Sequence, residues 1–250
     1  MSDTLAPDLW LPAPVFMLGL ARSFWRRQRP VRFRIPNPLT SVPPAPTLHL
    51  LPPLERTSDA AINNLIHLLS PQTAESLRTT AFTIALARQY GFSDNEVRVV
   101  ARGAYLRRIG YRVIPQEILH KQAPLTLAEL RMKRGYCQHG YNMLRQISQL
   151  ASSAEIVYAQ HESWDGIGYP RGLRGENIPL GARMLAVADM LEAITSRSRR
   201  SEAQAIAVAS WEIELCSGHR LDPECVQMFL GMPSHIWIDL RTAVDNSGAE

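Results

Sequence analysis

HESWDGIGYPRGLRGENIPLGARMLAVAD, residues 161–189, is the stretch whose reading decides the fold. Gly166, Gly168, Gly172, Gly175, Pro170 and Pro179 crowd its first two thirds. Glycine reaches positive φ without a Cβ clash and proline stiffens a turn, so the four glycines are read as positive-φ positions in a loop between two helices. The apolar spacing on either side is helical, over 154–162 before the loop and 180–195 after it.

Helical spacing continues outward. One helix is expected from Thr73 to Tyr90, ended by Gly91. Ser93 to Glu96 forms a capping box that opens a second helix through Val97, Val100, Tyr105 and Leu106, closed by a short loop containing Gly110 and Pro115. Thr126 to Glu129 is a second capping box, predicting one helix through Leu130, Met132, Tyr136, Met143, Leu144 and Ile147. Residues 202–216 read as helix before Gly218, and Asp222-Pro223 sets an N-cap beside a first-turn proline. Nothing alternates with a period of two, so the fold class is all-α.

Composition changes near Asp59, because eleven of the 18 prolines lie before it, from Pro7 to Pro53. Residues 1–58 are therefore read as a poorly ordered Pro/Arg-rich arm, 59–232 as the helical domain and 233–250 as a C-terminal tail. Within the arm, residues 24–34 interleave aromatics with arginines, chemistry suited to an anionic membrane or a nucleic-acid backbone; a solvated basic linker is the other reading. The formal net charge of +4 identifies no partner. Cys137, Cys216 and Cys225 form neither a disulfide framework nor a zinc ribbon, which suits a reducing, cytoplasmic setting. The apolar run 9–21 is broken by Pro12 and Pro14, too short to span a bilayer, and lacks preceding basic residues.

The order of residues 161–189 resembles the signature of the HD-GYP family of cyclic di-GMP phosphodiesterases: His-Glu, Asp-Gly, Gly-Tyr-Pro, Gly-Leu, Ile-Pro, Ala-Arg and Val-Ala-Asp at fixed spacings. Leu221-Asp222-Pro223 is similar to the family's C-terminal helix start, so the resemblance covers about 60–232. It implies an HD-domain-like helical bundle with a Gly-rich loop, and metal-assisted phosphodiester hydrolysis on iron or manganese held by His and Asp.

Residue by residue, the implied ligand set is largely replaced. The family's Leu-His-Asp-Ile-Gly-Lys falls on Leu106-Arg107-Arg108-Ile109-Gly110-Tyr111. An upstream ligand His falls near Glu75, or on Ser76 if the frame slips by one, and another His falls on Tyr136. Of the adjacent His-His pair, Gln160 replaces the first and His161 keeps the second; Asp189 matches the downstream ligand and Glu192 replaces an acid beyond it. Arginine has no lone pair to donate and stays charged, so Arg107 and Arg108 oppose a divalent ion. Two unit charges about 4 Å apart repel by about 4 kcal/mol at an effective dielectric near 20. His139, three residues after Tyr136, is a candidate compensating ligand. Neither metal nor catalytic residues are therefore expected, and Glu162, Asp165 and Asp189 are read as loop or cap residues as readily as ligands.

The resulting expectation is a catalytically inactive interaction or regulatory module in bacterial cyclic di-GMP signalling. Its binding loop comprises Trp164, Asp165, Gly166, Gly168, Tyr169, Pro170, Arg171 and Arg174, where aromatics adjoin arginines as at binding hot spots, although Trp164 reads equally as packing beneath the loop. The partner implied by the resemblance is a signalling protein such as a diguanylate cyclase domain. Two rival readings are a residual metal-dependent phosphodiesterase and a metal-free nucleotide sensor gripping phosphate with Arg107 and Arg108. Deleting residues 1–55 is expected to leave helical circular dichroism and the melting temperature unchanged; loss of cooperative melting would place the arm in the core.

Overall fold

The structure is a computed structural model that describes residues 65–66 and 73–247. The expectations for the Pro/Arg-rich arm, residues 1–58, lie outside the described residues. Ten α-helices follow one another among the described residues: α1 (Ala74–Tyr90), α2 (Asp94–Tyr105), α3 (Gln116–Leu119), α4 (Leu127–Arg134), α5 (Tyr136–Leu144), α6 (Ala151–Ala159), α7 (Leu180–Thr195), α8 (Glu202–Leu215), α9 (Pro223–Gly231) and α10 (Ser234–Ser247). These residues contain no strand, only an isolated bridge between Ser217 and Leu221. No described helix is long and apolar enough to cross a membrane.

Local chemistry sets several of the helix ends. The Thr73 side chain accepts from Ser76 N, and Gly91, at φ 96°, closes α1 by donating its N–H to Ala87 O and Arg88 O. Both capping boxes form, Ser93 with Glu96 and Thr126 with Glu129. Asp222 caps α9 by accepting from Glu224 N at 2.8 Å, with Pro223 in the first turn.

Three expectations are corrected. The helix predicted through 130–147 breaks into α4 and α5 at Gly135, where the N–H of Gly135 bonds Met132 O at 3.1 Å as well as Arg131 O, tightening the last turn. The helix predicted over 154–162 spans Ala151–Ala159, so Gln160, His161 and Glu162 lie in the turn after α6. The segment assigned to a C-terminal tail contains α10, whose Trp237, Leu240 and Val244 are buried. Its apolar residues at i, i+3 and i+7 give it a core face.

Helix α1 is the hub, packing against α2, α7, α9 and α10. The main apolar cluster joins Phe82 and Leu86 of α1 to Val100, Leu185, Leu191, Ile206, Phe229 and Trp237. A second cluster, around Leu106, Ile109, Leu144 and Val157, ties α2 to α5 and α6. The 3-10 turn Ile109–Val113 lies so close to α5 that a Cβ on Gly110 would sit 1.9 Å from Tyr136 O. The residues implied as metal ligands therefore hang on α1, the end of α2, α5, the turn after α6, and α7.

The ring of Trp237 packs edge-on to Phe82 at 5.8 Å and tilted on Phe229 at 5.0 Å. Trp237→Ala is expected to cost about 3–5 kcal/mol in denaturant unfolding; a cost below about 1 kcal/mol would detach α10 from the core.

Candidate functional site

At the junction of α1, α2 and α7 lies a charged cluster centred on Arg107, whose side chain is 2% exposed. Its Nη1 donates to Ser76 Oγ and Ala104 O, each at 3.4 Å, and its Nη2 donates to Thr79 Oγ1 at 3.2 Å. Glu75 Oε1 lies 3.6 Å from Nη2 and Asp189 Oδ1 lies 3.4 Å from Nε. Arg108 forks onto Glu75, with Nη1 donating to Oε2 at 2.9 Å and Nη2 to Oε1. Burial pulls Arg107 below its ordinary pKa against the attraction of Asp189, with Arg108 adding to the fall and Glu75 resisting it. Two carboxylates within 4 Å keep it a guanidinium at neutral pH. Burial also lowers Arg108, but the hydrogen bonds and charge of Glu75, with Asp189 behind them, outweigh it and hold that group above its ordinary value.

The cradle for Arg107 escaped the sequence reading. Ser76, Thr79, Thr80 and Thr83 are buried on α1, and the hydroxyls of Thr79, Thr80 and Thr83 bond the carbonyls of Glu75, Ser76 and Thr79. A hydroxyl stripe at helical spacing on a buried face was the available signal.

Beside this cluster, Tyr136, Tyr111, His161 and Tyr169 come together. The Tyr136 hydroxyl bonds His161 Nε2; its ring stacks on Tyr111 at 4.1 Å, and His161 stacks on Tyr169 at 4.9 Å. The Arg134 guanidinium lies over the Tyr169 ring at 5.0 Å. Gln160 ties the turn after α6 to the Arg107 backbone by donating from Nε2 to Arg107 O at 2.8 Å, and it also donates to Val157 O at 2.9 Å.

Other sequence candidates stand elsewhere. Glu192, 1% exposed, is held by Arg78 at 2.8 Å and Arg241 at 3.2 Å, and burial raises its pKa against those two cations. His139 is exposed on α5. Among the described residues no three His, Cys, Asp or Glu side chains group so as to hold a metal ion. The donor set does not fit iron or manganese: Arg107 and Arg108 lack lone pairs, the Gln160 amide nitrogen faces backbone carbonyls, and Nε2 of His161 is engaged by Tyr136. The two groups that the nucleotide-sensor reading would aim at phosphate face the protein in this structure: the Arg107 fork meets α1 and α7, and Arg108 meets Glu75.

The loop after α6 is pinned from within. Glu162, buried, accepts from Arg171 N at 2.8 Å and Leu173 N at 2.9 Å, and Asp165 Oδ1 accepts from Ile167 N at 3.1 Å. Asp165 N donates to His219 O at 2.8 Å and Gly175 N to Trp164 O at 2.9 Å. Trp164 is half-buried beneath Arg183, which bonds Ile178 O at 2.9 Å and pairs with the buried Asp222 at 2.7 Å. Gly166, Gly172 and Gly175 take positive φ as expected. Gly168 does not, and is required for space instead, since a Cβ there would meet Ser163 N at 2.2 Å. Exposed on the loop are Ile167, Pro170, Arg171, Gly172, Arg174, Glu176 and Asn177, whereas Tyr169 is half-buried, stacks on His161 and has a cis bond to Pro170.

A model of the family described as "HD domain" matches residues 59–225. The chain is 37% identical over 147 residues to the cyclic di-GMP phosphodiesterase response regulator RpfG of Xanthomonas campestris, covering 58% of this chain and 39% of that protein. It is 35% identical over 153 residues to a cyclic di-GMP phosphodiesterase of Thermotoga maritima (60% and 42% covered). A 3'3'-cGAMP-specific phosphodiesterase of Vibrio cholerae is 27% identical over 191 residues (73% and 36% covered). The chain thus spans less than half the length of these relatives. In fold it is similar to the crystal structure of a cyclic GMP-AMP specific phosphodiesterase of V. cholerae, with a TM-score of 0.52, 18% identity, and 69% of this chain and 48% of that one covered.

Glu162→Ala would orphan the N–H groups of Arg171 and Leu173. It is expected to cost about 1–3 kcal/mol and to speed amide exchange at those two positions; unchanged exchange would show that the loop is held by other contacts.

Proposed function

The chain belongs to the HD-domain family, in its HD-GYP group, and from that premise we propose that it is a non-catalytic member acting as an interaction or regulatory module in bacterial second-messenger signalling. One observation carries the reading: the Arg107 guanidinium lies between Asp189, which the HD-GYP resemblance aligns with a metal ligand, and Glu75, at or next to a second implied ligand position. A fixed cation there repels divalent ions and supplies no activated water. The relatives named as phosphodiesterases carry cyclic dinucleotide hydrolysis as the group's activity; in this chain the loop is retained while the donor set is changed.

The surface offered to a partner is the exposed rim of the loop, Ile167, Pro170, Arg171, Gly172 and Arg174. Its backbone is held by buried Glu162, so little ordering entropy remains to be lost on binding. A signalling protein, with a diguanylate cyclase domain as the example the resemblance supplies, is the partner class. Tyr169 stacks on His161, and Trp164 lies beneath Arg183.

The purified protein is expected to hydrolyse neither cyclic di-GMP nor its linear product above background with iron or manganese supplied. Arg107→His alone is expected to restore nothing, because Arg108 remains. Turnover that co-purifies with the chain, requires added metal and disappears in His161→Ala/Asp189→Ala would overturn this reading.

A further inference from the structure

Arg107 lies in the turn that follows α2, and none of its carboxylate partners is on that helix. Its carboxylate partners are Glu75 on α1, at 3.6 Å, and Asp189 on α7, at 3.4 Å. All three guanidinium nitrogens are engaged: Nε toward Asp189, Nη1 on Ser76 Oγ and Ala104 O, and Nη2 on Thr79 Oγ1 and Glu75. Arg108 holds both oxygens of Glu75, including the Oε1 that Arg107 faces, and so fixes that carboxylate. The four side chains carry two positive and two negative charges, so the cluster is neutral without any added ion.

We propose that the Arg107 guanidinium is the resident cation of this domain. It cross-links α1, the turn after α2 and α7 through Glu75 and Asp189, the task a divalent ion would perform, so the folded state neither requires nor gains from divalent metal. The inference rests on the non-catalytic reading of the same site but concerns how the domain is held together. The planar fork suits this role because it addresses two carboxylates and two hydroxyls in different directions, which a lysine point charge cannot do. At 3.4 and 3.6 Å the carboxylate contacts act chiefly by charge, between a buried guanidinium and carboxylates that are 39% exposed, while the hydroxyls supply the directional bonds.

The test is thermal unfolding of the full chain in chelator, in buffer and with millimolar manganese. The wild-type melting temperature is expected to be the same in all three. Arg107→Met, which keeps the stem and removes the charge, is expected to lower it by on the order of 5 °C or more. Adding Glu75→Gln and Asp189→Asn to Arg107→Met should recover most of that loss, whereas the same two changes with Arg107 intact should destabilise, because the cation is then buried without counter-charge. A side chain that merely fills space would show no such recovery. Should Arg107→Met fail to fold, folding of the triple variant supports the proposal and its failure counts against it. A wild-type melting temperature raised by manganese or lowered by chelator would overturn the proposal. So would an Arg107→Met protein as stable as wild type. Either result leaves the absence of hydrolysis standing, and turnover by the wild type would strike the functional reading instead.

Discussion

A guanidinium buried where three helices meet has to be paired, and most of the site follows from satisfying that requirement. The cost of desolvating Arg107 is offset by Asp189 and Glu75, and the remaining N–H groups bond Ser76, Thr79 and Ala104. Those partners fix the rotation of α1 about its axis and the seating of α7 against it. Once α1 is set, its apolar face meets Val100, Leu185 and Trp237, and its outer edge carries Arg78 to the buried Glu192. Breaking the pairing would leave a charge in a place water cannot reach, which is more costly than losing the contact itself.

The loop depends on a second set of buried polar groups. Glu162 and Asp165 accept from loop N–H groups, and the Arg183–Asp222 pair ties the start of α7 to the cap of α9 beneath Trp164. Every one of these bonds serves the backbone or another side chain rather than a ligand. Conformation is thereby maintained while chemistry at the neighbouring cluster is free to change. Tyr136 stands at one such position: its hydroxyl reaches His161 and its ring fills the space against Tyr111, so it supports the neighbouring histidine.

The features legible in the sequence were those encoded within a few residues. The Ser93–Glu96 and Thr126–Glu129 boxes, Gly91 and Asp222-Pro223 each act on their own backbone, and each appears where its spacing places it. Features needing a distant partner were not legible. Gly168 is glycine because Ser163 N approaches it, and nothing local distinguishes that from a positive-φ glycine. Glu192 looked like a replaced ligand, but Arg78 and Arg241, far from it along the chain, claim it. The core face of α10 emerges only when α1 and α9 supply Phe82 and Phe229 for Trp237 to pack against. At the site, Arg107 and Arg108 could be recognised as substitutions, whereas their pairing with Glu75 and Asp189 required the helices to be in place.

The central claim is that a side-chain cation stands where the resemblance expects a metal ion. Metal content of the full chain, purified without chelator from cells supplied with iron and manganese and then dialysed against a mild chelator, tests it most directly. The account predicts iron and manganese far below one ion per chain, in a protein that remains folded. One or more ions retained per chain, and lost together with the fold when His161 and Asp189 are both replaced by alanine, would contradict it.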